Sequence, residues 1–318
     1  VLLILTSFLV YNSIKKDPKE SSPESGNVVM PPELAEYVPS SNKVESIEFS
    51  PAEIHKSTLP IEHGPQGYTS SESCRECHES EHASWHDSYH RSMTQVMTPE
   101  TVQAKFDDVE LEMADEIFTL FTKGDEYWVR ITDRQPSLAG DGVSSKPQGL
   151  ELRMGMMTGS HHMQVFWLPA YHGNMQIGFP FTWLIKDQKW VPRDSTFIRD
   201  PHSVSNPEIW NLSCIRCHVT AGVPGHDRDT DEMISTAADL GISCEACHGP
   251  GETHIAWHRQ REEAKATGVT LKESIDPIIQ PDELASDRST QICGQCHGMK
   301  WWDEKEAWRQ TGFDYRPG

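Results

Sequence analysis

The sequence carries four copies of one pentapeptide: Cys74-Arg75-Glu76-Cys77-His78, Cys214-Ile215-Arg216-Cys217-His218, Cys244-Glu245-Ala246-Cys247-His248 and Cys293-Gly294-Gln295-Cys296-His297. Together they use all 8 cysteines of the 318-residue chain. Two thiols one helical turn apart reach the two vinyl groups of one haem, and the histidine that follows then lies beneath the iron. Structural zinc sites also use Cys-x-x-Cys pairs, but they predict paired half-sites and say nothing about the fifth position. Only 16 residues of the chain are histidine, so finding one there four times by accident has a probability on the order of 10⁻⁵. Disulfides across loops this short rarely staple a large domain. The motifs therefore predict four covalently attached haem c groups, with His78, His218, His248 and His297 as iron ligands.

Composition fits a chain that borrows part of its core from cofactors. Only 36% of it is hydrophobic and the mean hydropathy is -0.57, and four haems supply the missing apolar volume. In bacteria this kind of attachment is made outside the cytoplasm, so the folded part is expected in the periplasm or its equivalent. Residues 1–11 form an apolar run followed by Asn12-Ser13-Ile14-Lys15-Lys16. The run is too short to span a bilayer alone and lacks a small-x-small cleavage site. Residues 1–16 are read as a signal anchor whose first residues are missing, a single-pass tether to the cell membrane; a cleaved signal peptide is the other reading. Residues 17–70, rich in Pro, Ser and Glu and without a sustained period, are expected to be a flexible linker, with His55 and His63 exposed in it.

The first haem segment, 71–104, is expected to open with a helix running from Ser71 through His90. His78, His82, His86 and His90 recur every four residues and drift around one side of such a helix. They cannot all serve one iron. His90 lies about 18 Å along the axis from His78, so as a ligand it serves another haem. His82 and His86 are expected on a solvated face.

Residues 105–200 read as a β-rich insert. Glu116–Phe121 and Tyr127–Thr132 flank Lys123-Gly124-Asp125-Glu126 and predict a hairpin with Gly-Asp in its turn. Further strand-like pieces follow at 150–157, 162–168, 174–183 and around Lys189-Trp190-Val191. The insert is expected either to cover haem surface or to present a docking face. Met154, Met156 and Met157 suit apolar packing better than iron ligation. An axial Met raises a haem potential relative to a second histidine, and 12 histidines lie outside the motifs, which favours bis-histidine haems. The 10 tryptophans suit packing against porphyrin faces and edges.

Residues 201–318 return to helix and haem. Asn206-Pro207-Glu208 reads as a helix start, a second helix is expected from near Glu252 carrying His254, Trp257 and His258, and 282–297 reads as the helix of the fourth motif. The expected fold class is α+β: a mainly helical, haem-packed cytochrome with a β-rich insert between the first two haems.

These residues resemble a family. The first motif followed by Ser84-Trp85-His86-Asp87-Ser88-Tyr89-His90, then Cys-Ile-Arg-Cys-His-Val, then Gly241-Ile242-Ser243-Cys244-Glu245-Ala246-Cys247-His248-Gly249-Pro250-Gly251 and a short Cys-Gly-Gln-Cys-His helix are similar to the cytochrome c-552/4 domain family. The likeness covers about 71–97 and 210–297. It implies that His90 is the distal ligand of the fourth haem, opposite His297, and that His254 is the distal ligand of the first, opposite His78. In the family the third haem takes its distal histidine from beyond the fourth motif, and no histidine follows His297 in this sequence. Either the chain continues past Gly318 or a histidine of the insert substitutes; His161, paired with His162, is the best internal candidate, ahead of His172 and His226. The second haem of compact relatives is five-coordinate, which implies an open iron on His218.

The formal charge is -20, from 48 acidic and 28 basic residues, which excludes nucleic acid as a natural partner. An acidic face steers a basic redox partner such as a small soluble cytochrome, or serves solubility. The expected function is electron transfer between donor and acceptor proteins, whether cytochromes or a membrane complex, by a membrane-tethered tetrahaem cytochrome. Two alternatives stay open: a multihaem oxidoreductase acting on a small nitrogen or sulfur compound at the haem of His218, with no residue assigned as catalytic, and a sensor or complex subunit whose haem region is fused to an interaction domain.

Overall fold

Alternation of buried and more accessible side chains builds the first of the two larger antiparallel sheets. The computed structural model describes residues 58–133, 149–196, 208–298, 305–312 and 315–318. The expected anchor at 1–16, the linker as far as residue 57 with His55, the Asn206-Pro207 helix start, and Trp301 and Trp302 lie outside the described residues. Among the described residues no helix is long and apolar enough to cross a membrane.

The chain begins with a short strand β1 (Ile61–Glu62), two helices, α1 (Ser71–Arg75) and α2 (Glu79–His86), and strand β2 (Thr94–Val96). The first sheet follows as a meander of β3 (Val109–Met113), β4 (Glu116–Lys123), β5 (Glu126–Asp133) and β6 (Leu150–Met154). Phe118 and Leu120 of β4, Val129 and Ile131 of β5, and Leu152 and Met154 of β6 all point inward, the period of two that one buried face demands. Between β4 and β5, Lys123 pairs with Glu126. Gly124 turns the chain at φ +61°, the value a type II′ hairpin turn needs at its first central residue.

Gly155 alone separates β6 from β7 (Met156–Thr158), so the chain steps directly into the second sheet. That sheet adds β8 (Met163–Pro169), β9 (Gln176–Leu184) and β10 (Lys189–Pro192) in the order β10-β9-β8-β7-β2. Phe118 joins the two sheets, with its ring 5.7 Å from both Phe179 and Phe181. From Gln164 onward β8 is buried along its whole length, because both of its faces are covered. On one face Phe166 packs against Phe106 and Trp190. On the other, Met156, Val165 and Trp167 share a core with Trp210, Ile215 and Val219 beside the second pentapeptide. The sheet is thus the floor on which that motif is built.

The remaining elements are short apart from one 16-residue helix, α5: α3 (Ile215–His218), β11 (Val219–Thr220), β12 (Thr236–Ala237), β13 (Asp239–Leu240), α4 (Cys244–His248), α5 (Glu252–Thr267), α6 (Ser286–Gly294) and α7 (Lys305–Thr311). Helix makes up only 26% of the structure and strand 29%, so the mainly helical fold expected from the sequence is overturned. The reason is that a haem-attachment pentapeptide needs a single helical turn, and three of the four sit on helices of 4 or 5 residues; the sheets do most of the packing.

Three local expectations change with it. The helix expected from Ser71 through His90 breaks at His78, whose φ of -119° and ψ of 51° are not helical, and it stops at His86. The approach to the second motif is a 3-10 turn, Trp210–Leu212, rather than an α-helix. Residues 58–70, expected to belong to the linker, are packed: Thr58 is buried and β1 pairs in parallel with β12.

Candidate haem sites

Two pairs of imidazoles face each other across gaps that fit a porphyrin. The ring centres of His78 and His254 are 6.2 Å apart and the rings lie 23° from parallel. Those of His90 and His297 are 6.3 Å apart, with 80° between the rings. Two metal–imidazole bonds of about 2 Å, with each nitrogen about 1 Å from its ring centre, call for roughly 6 Å. Both pairs meet that requirement, and in each a cysteine pair lies directly before the motif histidine.

Hydrogen bonds through the third motif bring these partners together. Glu245, only 2% exposed, accepts from the Thr69 N–H at 2.9 Å and the Gly251 N–H at 2.8 Å. Thr69 leads into α1 and the first motif; Gly251 leads into α5 and His254. One buried carboxylate thus fixes the starts of both helices. Burial pushes the Glu245 carboxyl up. Asp239 likewise accepts from the Ser71 N–H at 3.0 Å, and burial also raises its carboxyl.

His90 is held differently. The Ile242 N–H donates to the His90 carbonyl at 2.9 Å, and the Trp85 indole donates to the Ile242 carbonyl at 2.7 Å. Gly241, at φ +81°, passes so close that a Cβ there meets the Arg91 carbonyl oxygen at 2.1 Å. The strand entering the third motif therefore carries His90 toward the fourth.

The motifs form a spatial sequence that differs from their order in the chain. The Cys74 and Cys244 side chains lie beside each other, close enough to interact electrostatically. Gln295 of the fourth motif donates to the Ala246 carbonyl of the third at 2.7 Å. Arg216 of the second faces Cys296 of the fourth as well as its own Cys217. The path thus runs first, third, fourth, second.

His254 and His248 have defined partners for the second ring nitrogen. His254 Nδ1 donates to Asp276 at 2.6 Å and His248 Nδ1 to the Ile279 carbonyl at 2.8 Å, which leaves Nε2 with its lone pair in each. His218 sits deepest against the sheet core, and burial pulls its imidazole below the ordinary histidine value. Its Nδ1 is buried without a hydrogen-bond partner. Beside it, the Arg193 guanidinium donates to Glu208 and lies 4.6 Å over the Trp167 ring. Glu208 Oε1 lies 3.8 Å from Cys214 Sγ, and burial together with that carboxylate pushes the Cys214 thiol up to about 12.

Other histidines singled out in the sequence fall elsewhere. His161 is exposed on the β7–β8 loop, where its ring neighbours are Tyr89 at 3.9 Å and His162 at 4.1 Å rather than a motif histidine. His226 is buried and paired with Asp231 at 2.9 Å. His82 is 7% exposed, against the solvated face expected for it, because its ring packs 5.1 Å from Trp85; His86 is exposed. Met154, Met156 and Met157 are fully buried in the sheets. The roles of Asp276, Glu245 and Gly241 escaped sequence reasoning, since nothing local marks an acid or a glycine whose partner comes from a distant segment.

The chain matches the family described as cytochrome c554 and c-prime over residues 73–120 and 188–249. Those stretches hold the first three pentapeptides, β3, most of β4 and β10. No curated protein and no solved structure matches the chain. The family likeness falls on the Cys-x-x-Cys-His motifs themselves and supports a cytochrome c family and, with it, electron transfer through covalently bound haem c in general.

Proposed function

We propose that the protein holds four haem c groups, one per pentapeptide, and passes electrons singly between a donor and an acceptor protein on the extracytoplasmic side of a membrane, to which an N-terminal anchor ties it. Each haem supplies a one-electron Fe(III)/Fe(II) couple. The observation that carries the reading is the spacing of 6.2 and 6.3 Å in the two imidazole pairs. His78 with His254 and His90 with His297 fill both axial positions of the first and fourth haems. Such irons have no vacant site and act as carriers. The contacts between motifs give a route in the order first, third, fourth, second. The acidic charge favours a basic partner protein.

A second reading, an oxidoreductase acting on a small nitrogen or sulfur compound, concerns the haem of His218. Its support is the Arg193–Glu208 pair beside Cys214, which sets an acid and a cation next to that haem. Electronic absorption and EPR spectra of the oxidised protein separate the two. High-spin signal assigned to the His218 haem favours catalysis there; four purely low-spin haems leave an electron carrier.

A further inference from the structure

We propose that Asp276 is the positioning residue for the distal ligand of the first haem, fixing the tautomer and the ring plane of His254. The proposal rests on the reading of His254 as the iron ligand opposite His78. Asp276 lies in the segment that returns along α5, and its two oxygens serve two imidazoles on that helix. Oδ1 accepts from His254 Nδ1 at 2.6 Å and Oδ2 from His258 Nε2 at 3.0 Å. An ionised carboxylate only accepts, so the proton of His254 is on Nδ1 and the lone pair on Nε2. That Nε2 is the atom a haem between His254 and His78 requires.

The carboxylate is itself held from several sides. His258, four residues after His254, stands on the same helix face, and its ring is 4.6 Å from that of His254 at 74°. Two residues before Asp276, the Ser274 hydroxyl accepts from the Trp257 indole at 2.9 Å and from Arg261 at 3.0 Å. The Arg261 guanidinium stacks 3.5 Å over the Trp257 ring. Ile275, between these anchors, is 93% exposed, so apolar burial does not hold the segment in place. A polar strap does, and its one fixed carboxylate points at His254.

Charge also distinguishes this haem. His248 gives its Nδ1 proton to a neutral carbonyl, whereas His254 gives it to an anion. A charge-assisted bond of this kind makes the imidazole a stronger donor and favours Fe(III). The first haem is therefore held at a lower potential than the same bis-histidine site with a neutral partner.

The test is potentiometric titration with EPR on the full haem-loaded chain, comparing wild type with Asp276→Ala, Asp276→Asn, Asp276→Glu and His254→Ala. With Asp276→Ala the covalent haem content stays constant, one haem becomes about tenfold easier to reduce, equivalent to about 59 mV for one electron, and one low-spin signal changes its g-values. Asp276→Asn, which keeps an acceptor and the side-chain shape, raises the same potential with smaller changes in g, and Asp276→Glu restores part of both. Unchanged potentials and g-values in both Asp276→Ala and Asp276→Asn overturn the proposal. His254→Ala distinguishes failure of the underlying reading. If every haem stays low-spin in that variant, His254 is no ligand; if one turns high-spin while the Asp276 variants do nothing, only the role of Asp276 falls.

Discussion

The imidazoles of His78 and His254 face each other 6.2 Å apart and 23° from parallel, although one ends the first pentapeptide and the other lies beyond the third. The second facing pair, His90 and His297, has nearly the same separation but is twisted by 80°. Two facing histidine pairs thus differ in the relative orientation of their rings.

That difference is spectroscopic. Near-parallel axial imidazoles split the iron d orbitals rhombically, whereas near-perpendicular ones leave them close to degenerate and give a large maximum g-value. The oxidised protein should show both kinds of low-spin EPR signal. His254→Ala should abolish the rhombic one and His90→Ala the large-g one, each converting a single haem to high-spin. An unchanged spectrum in either variant rules out that residue as a ligand.

The count of haems is open to mass spectrometry. Replacing Cys244 and Cys247 with Ser should lower the mass of the denatured protein by one haem, and the same change at Cys214 and Cys217 by one haem. The two losses should differ in kinetics. The third motif lies between the first and fourth, through the Cys74–Cys244 and Gln295–Ala246 contacts. Its loss should slow electron exchange between those haems in rapid-reduction experiments, while loss of the second motif, at the end of the path, should spare it.

Gly241→Ala should displace a distant histidine, His90. The residue sits at φ +81°, and a Cβ there meets the Arg91 carbonyl oxygen at 2.1 Å. Left-handed strain alone costs about 1–3 kcal/mol, and the clash displaces the segment carrying His90. The expected result is a melting temperature lower by at least several degrees, together with high-spin character at the fourth haem. A variant with wild-type melting and spectrum would show that the approach of Gly241 to Arg91 does not position His90.

Asp239 predicts a pH dependence of defined sign. Burial raises its carboxyl, with the Glu72 charge adding to the effect. A group whose folded pKa lies above its unfolded one contributes stability that is complete below the unfolded value and is lost as pH rises through the folded one. Relative to wild type, Asp239→Asn should therefore gain melting temperature as pH rises from about 4 toward neutrality. A difference between the two proteins that stays constant over that range would contradict the burial argument.

Much of the secondary structure was legible in particular stretches of sequence. Gly124-Asp125 between two alternating runs marks the β4–β5 hairpin, and the start of α5 at Glu252 agrees with the helix expected near that residue. The pentapeptides are read directly because their chemistry is local: two thiols and an imidazole within five residues. The balance of helix and strand was not, since a motif that signals haem occupies so little helix. His82 was misread as solvated because an i, i+4 histidine series carries no information about a Trp85 ring packing over it.

The sequence by itself determined that the chain attaches haem, through the spacing of its 8 cysteines and the histidine after each pair. Only the tertiary structure decided which distant imidazole faces which motif, in what order the motifs touch, and which acids hold them. Attachment depends on residues within one turn of helix, whereas the far side of an iron is reached by whichever segment Glu245, Gly241 and Asp276 hold in place. Those are hydrogen bonds and close approaches between residues far apart in the chain, and no local pattern encodes them.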